Sequence, residues 1–395
     1  MSYDLKIFTE NVDPLATNQI YNLLAQPPFK GAKVRIMPDV HIGSGCVVGF
    51  TATMGDKVIP NVIGVDIGCG MLTVCLGKIS VDPAALDDFI RKNIPAGSSV
   101  HKTYGDADFI RKLYCYQELQ EVDRIYRSFG TLGGGNHFIE LDCDEENNLY
   151  LVIHSGSRNL GLQVAKLYQQ KAVLACKNAA DEAKRRVHDR LVAEGRVSEI
   201  PEAYIQITAQ CAVRTKTPPD YCYFEGGECE AYLHDMQICQ EFATRNRKKM
   251  AEDILRFLGV HRVESFETLH NFIDPQGIIR KGAIPAHKGQ RLLIPMNMRD
   301  GCLIVVGKGN PDWNCSAPHG AGRLVSRGDA RELFTVEEYR KAMEGIYTTS
   351  ANLSTIDESP MAYKPMEEII RLIEPTVDVQ RIIKPIYNFK AGKKE

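Results

Sequence analysis

The 395-residue chain has no surplus of charge of either sign: 48 Lys and Arg stand against 50 Asp and Glu, a formal charge of −2. A protein that coats nucleic acid by bulk charge needs excess cations to neutralise phosphates. That class is excluded, although a local basic site is not. Long apolar runs are also missing. No segment approaches the roughly 20 apolar residues of a membrane-spanning helix, and the run Leu303-Ile304-Val305-Val306 reads as a buried strand. The opening Met1-Ser2-Tyr3-Asp4-Leu5-Lys6 carries charges where an export signal needs an apolar stretch. Twelve cysteines are scattered without a single Cys-x-x-Cys pair. A closed structural zinc site usually shows that spacing, so most of these thiols are expected to be reduced core residues of a cytoplasmic protein. Hydrophobic residues at 44% and charged residues at 25% describe a folded chain rather than a disordered one.

Two textures alternate along the chain. Residues 30–78, 130–161 and 282–328 are rich in Gly, Val and Ile with frequent turn signals, which predicts short strands joined by glycine loops. Between the second and third blocks lies a helical stretch, roughly 160–258, in which Val164, Leu167, Tyr168 and Ala172 follow a 3.6-residue period. Turn residues at Thr217-Pro218-Pro219-Asp220 and Glu225-Gly226-Gly227-Glu228 split it into two helical parts. With no internal repeat, the expectation is one mixed α/β (α+β) domain over 1–395, with 160–258 as a helical insertion. Its basic run, Arg245-Asn246-Arg247-Lys248-Lys249, reads as a solvated helix face or as phosphate contacts, the former preferred. Cys222 and Cys229 read as ordinary loop or core cysteines. The single tryptophan, Trp313, reads as packing, with base stacking as the other reading.

Five segments crowd small residues around a His, Asp or Cys: 37–45 (Met-Pro-Asp-Val-His-Ile-Gly-Ser-Gly), 64–71 (Gly-Val-Asp-Ile-Gly-Cys-Gly-Met), 130–140 (Gly-Thr-Leu-Gly-Gly-Gly-Asn-His-Phe-Ile-Glu), 152–158 (Val-Ile-His-Ser-Gly-Ser-Arg) and 316–323 (Ser-Ala-Pro-His-Gly-Ala-Gly-Arg). Glycine lets backbone approach a ligand closely, so such loops suit metals or phosphates. One histidine after a strand is more often a core or turn residue than a ligand. Four of the ten histidines in this setting, with an Asp-x-x-Cys pair beside them, are a stronger signal.

Asp66 and Cys69 offer a carboxylate and a thiolate, and neutral imidazoles accept several divalent metals. A thiolate has lone pairs enough to bridge two ions, and two metals beside a phosphoryl group neutralise developing charge. His319 has glycines on its C-terminal side, with Arg323 and Arg327 placed to pair with phosphates. A neutral imidazole attacks phosphorus if its other nitrogen is held by an acceptor. Asp39 is the candidate for that acceptor, or else caps the turn before His41. His41 is either a turn residue or a support of the site.

Taken together, these segments resemble the RtcB-type RNA ligases over nearly the whole chain. The resemblance implies a GTP-dependent enzyme with two Mn2+ ions. Its substrates would be RNA 3′-phosphate or 2′,3′-cyclic-phosphate ends, joined to 5′-hydroxyl ends. It further implies that His319 takes GMP from GTP, that Asp66, Cys69, His137, His154 and His270 hold the metals, and that Cys69 is shared. Asn136, Phe138, Glu140 and Asn271 fall where the family lines the guanine nucleotide, as do Gly320, Ala321, Gly322, Tyr363 and Lys390. Glu140 would accept the guanine N1–H and N2–H₂, favouring GTP over ATP. The family's lysine is nearly terminal, whereas Ala391-Gly392-Lys393-Lys394-Glu395 follow Lys390 here. A monomer is expected, with room for a protein activator and no membrane partner.

The nucleotide loop departs from the family. Many members carry Pro-Gly-Ser-Met-Gly followed by a serine; this chain has Pro295-Met296-Asn297-Met298-Arg299-Asp300-Gly301-Cys302. Asn297 is expected to substitute as a hydrogen-bonding side chain and Arg299 to attract phosphate. The departure points to a divergent paralogue in RNA repair rather than tRNA splicing. It also keeps two other functions in view: a metal-dependent RNA end-processing phosphodiesterase, and a non-catalytic RNA-end sensor. Since metals at one phosphate would supply much of the positive charge, affinity for intact RNA should be modest. In competition binding, a circular RNA should displace a 3′-phosphate-ended oligonucleotide only weakly; equal displacement would contradict end recognition.

Overall fold

Leu149–Ser155 is buried at every position, as expected of a strand covered on both faces. It lies within a seven-stranded antiparallel sheet whose order is Arg291–Asn297, Gly301–Gly307, Val377–Lys390, Phe138–Cys143, Leu149–Ser155, Gly70–Gly77 and Glu264–Leu269. Side chains alternate with period two. Leu72, Val74, Ile139, Leu141, Leu151 and Ile153 share a core with Leu86 and Ile90 of the helix Pro83–Asn93 and with Met250 and Ile254 of the helix Gly227–Leu258. Met71, Phe138, Tyr150 and Val152 pack instead with Leu293, Cys302 and Ile304. The sheet thus draws strands from positions 70 to 390, and the structure is a mixed α/β fold. A computed structural model describes residues 3–261 and 263–392; Met1, Ser2, Arg262 and the terminal Lys393-Lys394-Glu395 lie outside the described residues.

A second sheet, ordered Asp4–Ile7, Lys33–His41, Val48–Thr53, Ile278–Lys281 and Asn271–Ile273, carries Asp39 near the end of its second strand. Ala283–Pro285 pairs with Ser316–Pro318, which delivers His319 as the next residue.

The helical stretch comprises three helices rather than two: Arg158–Ala193, Ile200–Thr215 and Gly227–Leu258. Val164, Tyr168 and Ala172 are buried on the first. The interruption expected near 217–228 holds a turn at Pro219–Tyr221 and the short strand Phe224–Glu225. The additional break follows Ala193. Gly195 takes a φ of 73°, and the Arg196 amide donates back to the Leu191 carbonyl at 2.8 Å. This is the left-handed helix stop that glycine favours. One glycine among charged residues was too slight a signal to mark it in advance.

The basic run is not a uniform face. Arg245 pairs with Glu241 and lies over the Phe109 ring, and Lys249 pairs with Asp253. Asn246 and Arg247, however, are fully buried. Arg247 donates to the carbonyls of Ser155 at 2.7 Å and Gly68 at 3.1 Å. The Asn246 side chain accepts from the amides of Gly130 at 2.7 Å and Thr131 at 3.1 Å, and donates to the Thr131 carbonyl at 3.0 Å. Both readings of these two positions are therefore corrected: they meet neither solvent nor phosphate. Helical spacing turns them inward with Ala243 and Met250, under three of the glycine loops.

Trp313 is buried and stacked on Phe8 at 3.7 Å, so it packs rather than presenting a face to a base. Cys222 and Cys229 are buried, and the described cysteines are free thiols. Among the described residues no helix is long and apolar enough to cross a membrane.

Replacing Arg247 strands two buried carbonyls, a mechanism that costs about 2–4 kcal/mol. Arg247→Met should lower urea-unfolding stability by about that amount, whereas exposed Lys248→Glu should change it by less than about 0.5 kcal/mol.

Candidate active site

The loop Asp66–Cys69 enters the strand Gly70–Gly77 at a point where three histidines from distant segments converge. Cys69 Sγ lies 3.4 Å from His137 Nε2 and 3.3 Å from His154 Nε2. His154 Nε2 is 3.2 Å from His270 Nε2, and His137 Nε2 is 2.9 Å from an Asp66 oxygen. These donors form two overlapping sets, Asp66/Cys69/His137 and Cys69/His154/His270, joined at the sulfur. Tetrahedral ligands at ordinary metal–N and metal–S lengths stand about 3.3–3.8 Å apart. The observed spacings are close to that, so these residues fit a pair of divalent ions.

Each imidazole is oriented from behind. His137 Nδ1–H donates to the Leu132 carbonyl at 2.9 Å and His154 Nδ1–H to the Asn136 carbonyl at 3.2 Å. His270 Nδ1 is 3.3 Å from the Asn271 side-chain oxygen. A nitrogen that faces an acceptor must carry the proton, which leaves Nε2 with its lone pair directed at the centre. Burial, then the neighbouring histidines, holds His154 and His270 well below the usual imidazole range. Burial, then the Asp66 charge, pushes the Cys69 thiol well above its ordinary value. For Asp66, burial acts upward, but the His137 hydrogen bond and the charges nearby outweigh it and bring the carboxyl down to about 2. Gly156 is required here: a Cβ on it would stand 2.0 Å from an Asp66 oxygen.

His319 lies beside this centre, its ring 4.8 Å from that of His270. Asp39 is fully buried, and one of its oxygens accepts both from His319 Nδ1–H at 2.7 Å and from the His319 backbone amide at 3.1 Å. Gly322, at φ 76°, brings its backbone over Asp39, where a Cβ would meet the Asp39 Cα at 2.7 Å. His41 Nδ1–H donates to the Asp39 carbonyl at 2.9 Å, and burial lowers its imidazole to about 4. His41 thus supports the segment that holds His319, and it also lines the adjoining cleft.

That cleft holds a cavity of about 100 Å3 that opens to the surface. His154 and His319 line its reactive end. Asn136, Phe138 and Glu140 come from one segment; Pro295, Met296, Asn297 and Met298 come from a second. Gly320, Ala321 and Gly322 follow His319, and Tyr363 and Lys390 complete the wall. Burial raises the Glu140 carboxyl to about 7 against the opposing pull of Lys390. Two expected lining residues sit elsewhere. Asn271 lies behind the metal donors, its amide bound to the Asp66 carbonyl at 3.1 Å and accepting from the Gly282 amide at 2.9 Å. Cys302 is buried, 3.9 Å from Glu140.

The altered loop also differs from expectation. The Asn297 oxygen accepts from the amides of Arg299 at 3.0 Å and Asp300 at 2.9 Å, and its Nδ2 donates to the Asp300 carboxylate at 2.7 Å. Its side chain is engaged by its own turn. Arg299 pairs with Asp300 and does not line the cleft.

A residue not singled out from sequence ties the cations together. Glu358 is buried and receives Lys390 Nζ at 2.8 Å and Tyr363 Oη at 2.9 Å; Arg327 also pairs with it. Arg323 lies over the Tyr363 ring and donates to the Asp357 carbonyl at 2.7 Å. The available signal was the Asp357-Glu358 pair five residues before Tyr363, too common a dipeptide to stand out.

Loss of an orienting partner behind a metal-bound histidine typically costs 10–100-fold in metal affinity. Asn271→Ala should weaken divalent-metal binding by about that factor in calorimetric titration, and Cys69→Ala should reduce the number of ions bound.

Comparison with known proteins places this geometry in context. The family described as tRNA-splicing ligase RtcB matches residues 19–122 and 112–391. The RNA-splicing ligase RtcB of Escherichia coli K12 is 30% identical, with 95% of this chain and 94% of that one aligned. The tRNA-splicing ligase RtcB of Aeropyrum pernix is 26% identical over 88% of this chain and 85% of its own length. RNA-splicing ligase RtcB2 of E. coli ATCC 25922 is 24% identical over 92% and 88%.

Proposed function

This chain belongs to the RtcB family of RNA ligases, and from that premise we propose that it joins RNA 3′-phosphate or 2′,3′-cyclic-phosphate ends to 5′-hydroxyl ends, with GTP and two Mn2+ ions. The observation that carries this reading is His319, with Nδ1 held at 2.7 Å by a buried carboxylate and its ring beside the metal donors.

With Nδ1–H donating to Asp39, the other nitrogen of His319 keeps its lone pair for attack on the α-phosphorus of GTP. The P–N bond forms as pyrophosphate leaves, giving a His319–GMP phosphoramidate. GMP then passes to the RNA 3′-phosphate, restoring His319. The 5′-hydroxyl attacks that activated phosphate and GMP departs; a cyclic phosphate is first opened to the 3′-phosphate. Asp66, Cys69, His137, His154 and His270 would hold the metal ions, which would neutralise phosphoryl charge and orient the reacting oxygens. Asp39 stabilises the imidazolium that forms whenever His319 gains charge. Glu140, as carboxylate, accepts the two guanine N–H groups, which selects GTP over ATP. Lys390, Arg323 and Arg327 offer positive charge to the phosphates or ribose, and Asn136, Phe138 and Tyr363 shape the walls. We take the protein to act as a cytoplasmic monomer in RNA repair or tRNA splicing.

Incubation with α-labelled GTP and Mn2+ should leave acid-labile label on the protein. His319→Ala should abolish it, and Asp39→Asn should slow its formation by about 10²–10⁴-fold. Absence of any adduct would overturn the reading. The altered 295–302 loop favours one rival, hydrolysis of cyclic phosphates without joining; sealed product from 3′-phosphate and 5′-hydroxyl RNAs decides against it.

A further inference from the structure

Beneath the cleft, Glu140, Asp142 and Cys302 bring two carboxylates and a thiol within 4.8 Å of one another, all three buried. Glu140 and Asp142 are two apart on the strand Phe138–Cys143 and so share a face. Cys302 comes from Gly301–Gly307, with the strand Val377–Lys390 running between. That intervening strand contributes Asn388, in register with Glu140, and its side-chain amide donates to the Glu140 carboxylate.

Glu140 receives the Asn388 amide and the Cys302 thiol, the latter at 3.9 Å, but the rest of the cluster is short of partners. Both oxygens of Asp142 and the side-chain oxygen of Asn388 are buried with no hydrogen-bond partner among the described residues. Burying such groups unpaired is costly, and carboxylates in that position ordinarily meet a cation or a metal. No ion pair reaches Glu140 or Asp142 among the described residues, and Lys390 is held at 2.8 Å by Glu358.

We propose that Glu140, Asp142 and Cys302 form a binding site for a borderline or soft divalent cation of the Zn2+ class, separate from the donors around Cys69. Thiolate with carboxylate selects such ions over Mg2+ or Ca2+. Three protein donors with a fourth position left open are a set that zinc accepts. Glu140 also lines the cleft and provides the way in. Binding replaces the protons that burial otherwise keeps on Cys302 and Asp142 and releases them to solvent. Glu140 cannot hold this cation and the guanine N–H groups with the same oxygens at once, so the two ligands compete for it. The test below uses neither nucleotide nor RNA, so its failure and a failure of the ligase reading are told apart.

The test uses the full chain stripped of metal. Crystals soaked in Zn2+ are measured for anomalous scattering, and the protein is titrated with Cd2+ while thiolate-to-metal absorbance is followed. The expected result is an anomalous peak bounded by Glu140, Asp142 and Cys302. Cys302→Ser should lose one bound equivalent with its share of the thiolate band. Cys69→Ser should keep that share, and the isosteric Asp142→Asn should weaken this equivalent by about tenfold or more. Anomalous peaks confined to Asp66, Cys69 and the histidines, or unchanged equivalents in Cys302→Ser and Asp142→Asn, would mean that protons alone neutralise the cluster and would overturn the proposal.

Discussion

The Cys69 thiol is buried beside Asp66, with imidazole nitrogens at 3.3 and 3.4 Å. In such surroundings a sulfur ionises only when a cation takes the place of its proton. The other donors are placed as that constraint requires. His137, His154 and His270 each turn one nitrogen toward the centre because the other is held by an oxygen of the surrounding chain. The loops bearing these donors are irregular, and irregular backbone needs partners of its own. Asn246 and Arg247 supply them from a single helix turn, binding backbone at Gly68, Gly130, Thr131 and Ser155. Metal donors and helix therefore form one cooperative unit.

The same economy governs charge. The chain is nearly neutral, and the cations facing the cleft are matched by nearby acceptors. Lys390 and Arg327 converge on Glu358, while Arg323 is held by backbone and by the Tyr363 ring. Pairing of this kind orders long side chains before any ligand arrives, which lowers the entropy cost of binding.

His319 joins the two halves of this arrangement. Its backbone and ring both bind one oxygen of Asp39, so the segment 316–323 cannot shift without breaking two bonds at once. The strand Lys33–His41 belongs to one sheet, whereas His154 lies near the end of an interior strand of the other and Cys69 directly precedes the strand beside it. The placement of the His319 ring is thus set by the packing of the sheets, not by a local motif.

The glycine-bounded segments around Asp39, Asp66, His137, His154 and His319 could be picked out from composition alone, because close backbone approach leaves a local mark that needs no partner to be recognised. Their ordered succession also carried the resemblance to a ligase family, and with it His270, which no local glycine marks. The mixed α/β class and the helical period of 160–172 were legible for the same reason: period and turn residues are properties of adjacent positions. What only the tertiary structure decided are the pairings between distant residues. Arg247 and Lys248 are neighbouring cations in sequence, yet helical phase buries one under the Cys69 loop and leaves the other exposed. Asn297 and Arg299 were open to several roles until Asp300 took up both side chains. Asp142 became notable only when strand order brought Cys302 and Asn388 to its face. Contacts of this kind depend on which strands become neighbours, and that is settled by burial of the whole sheet rather than by any one segment.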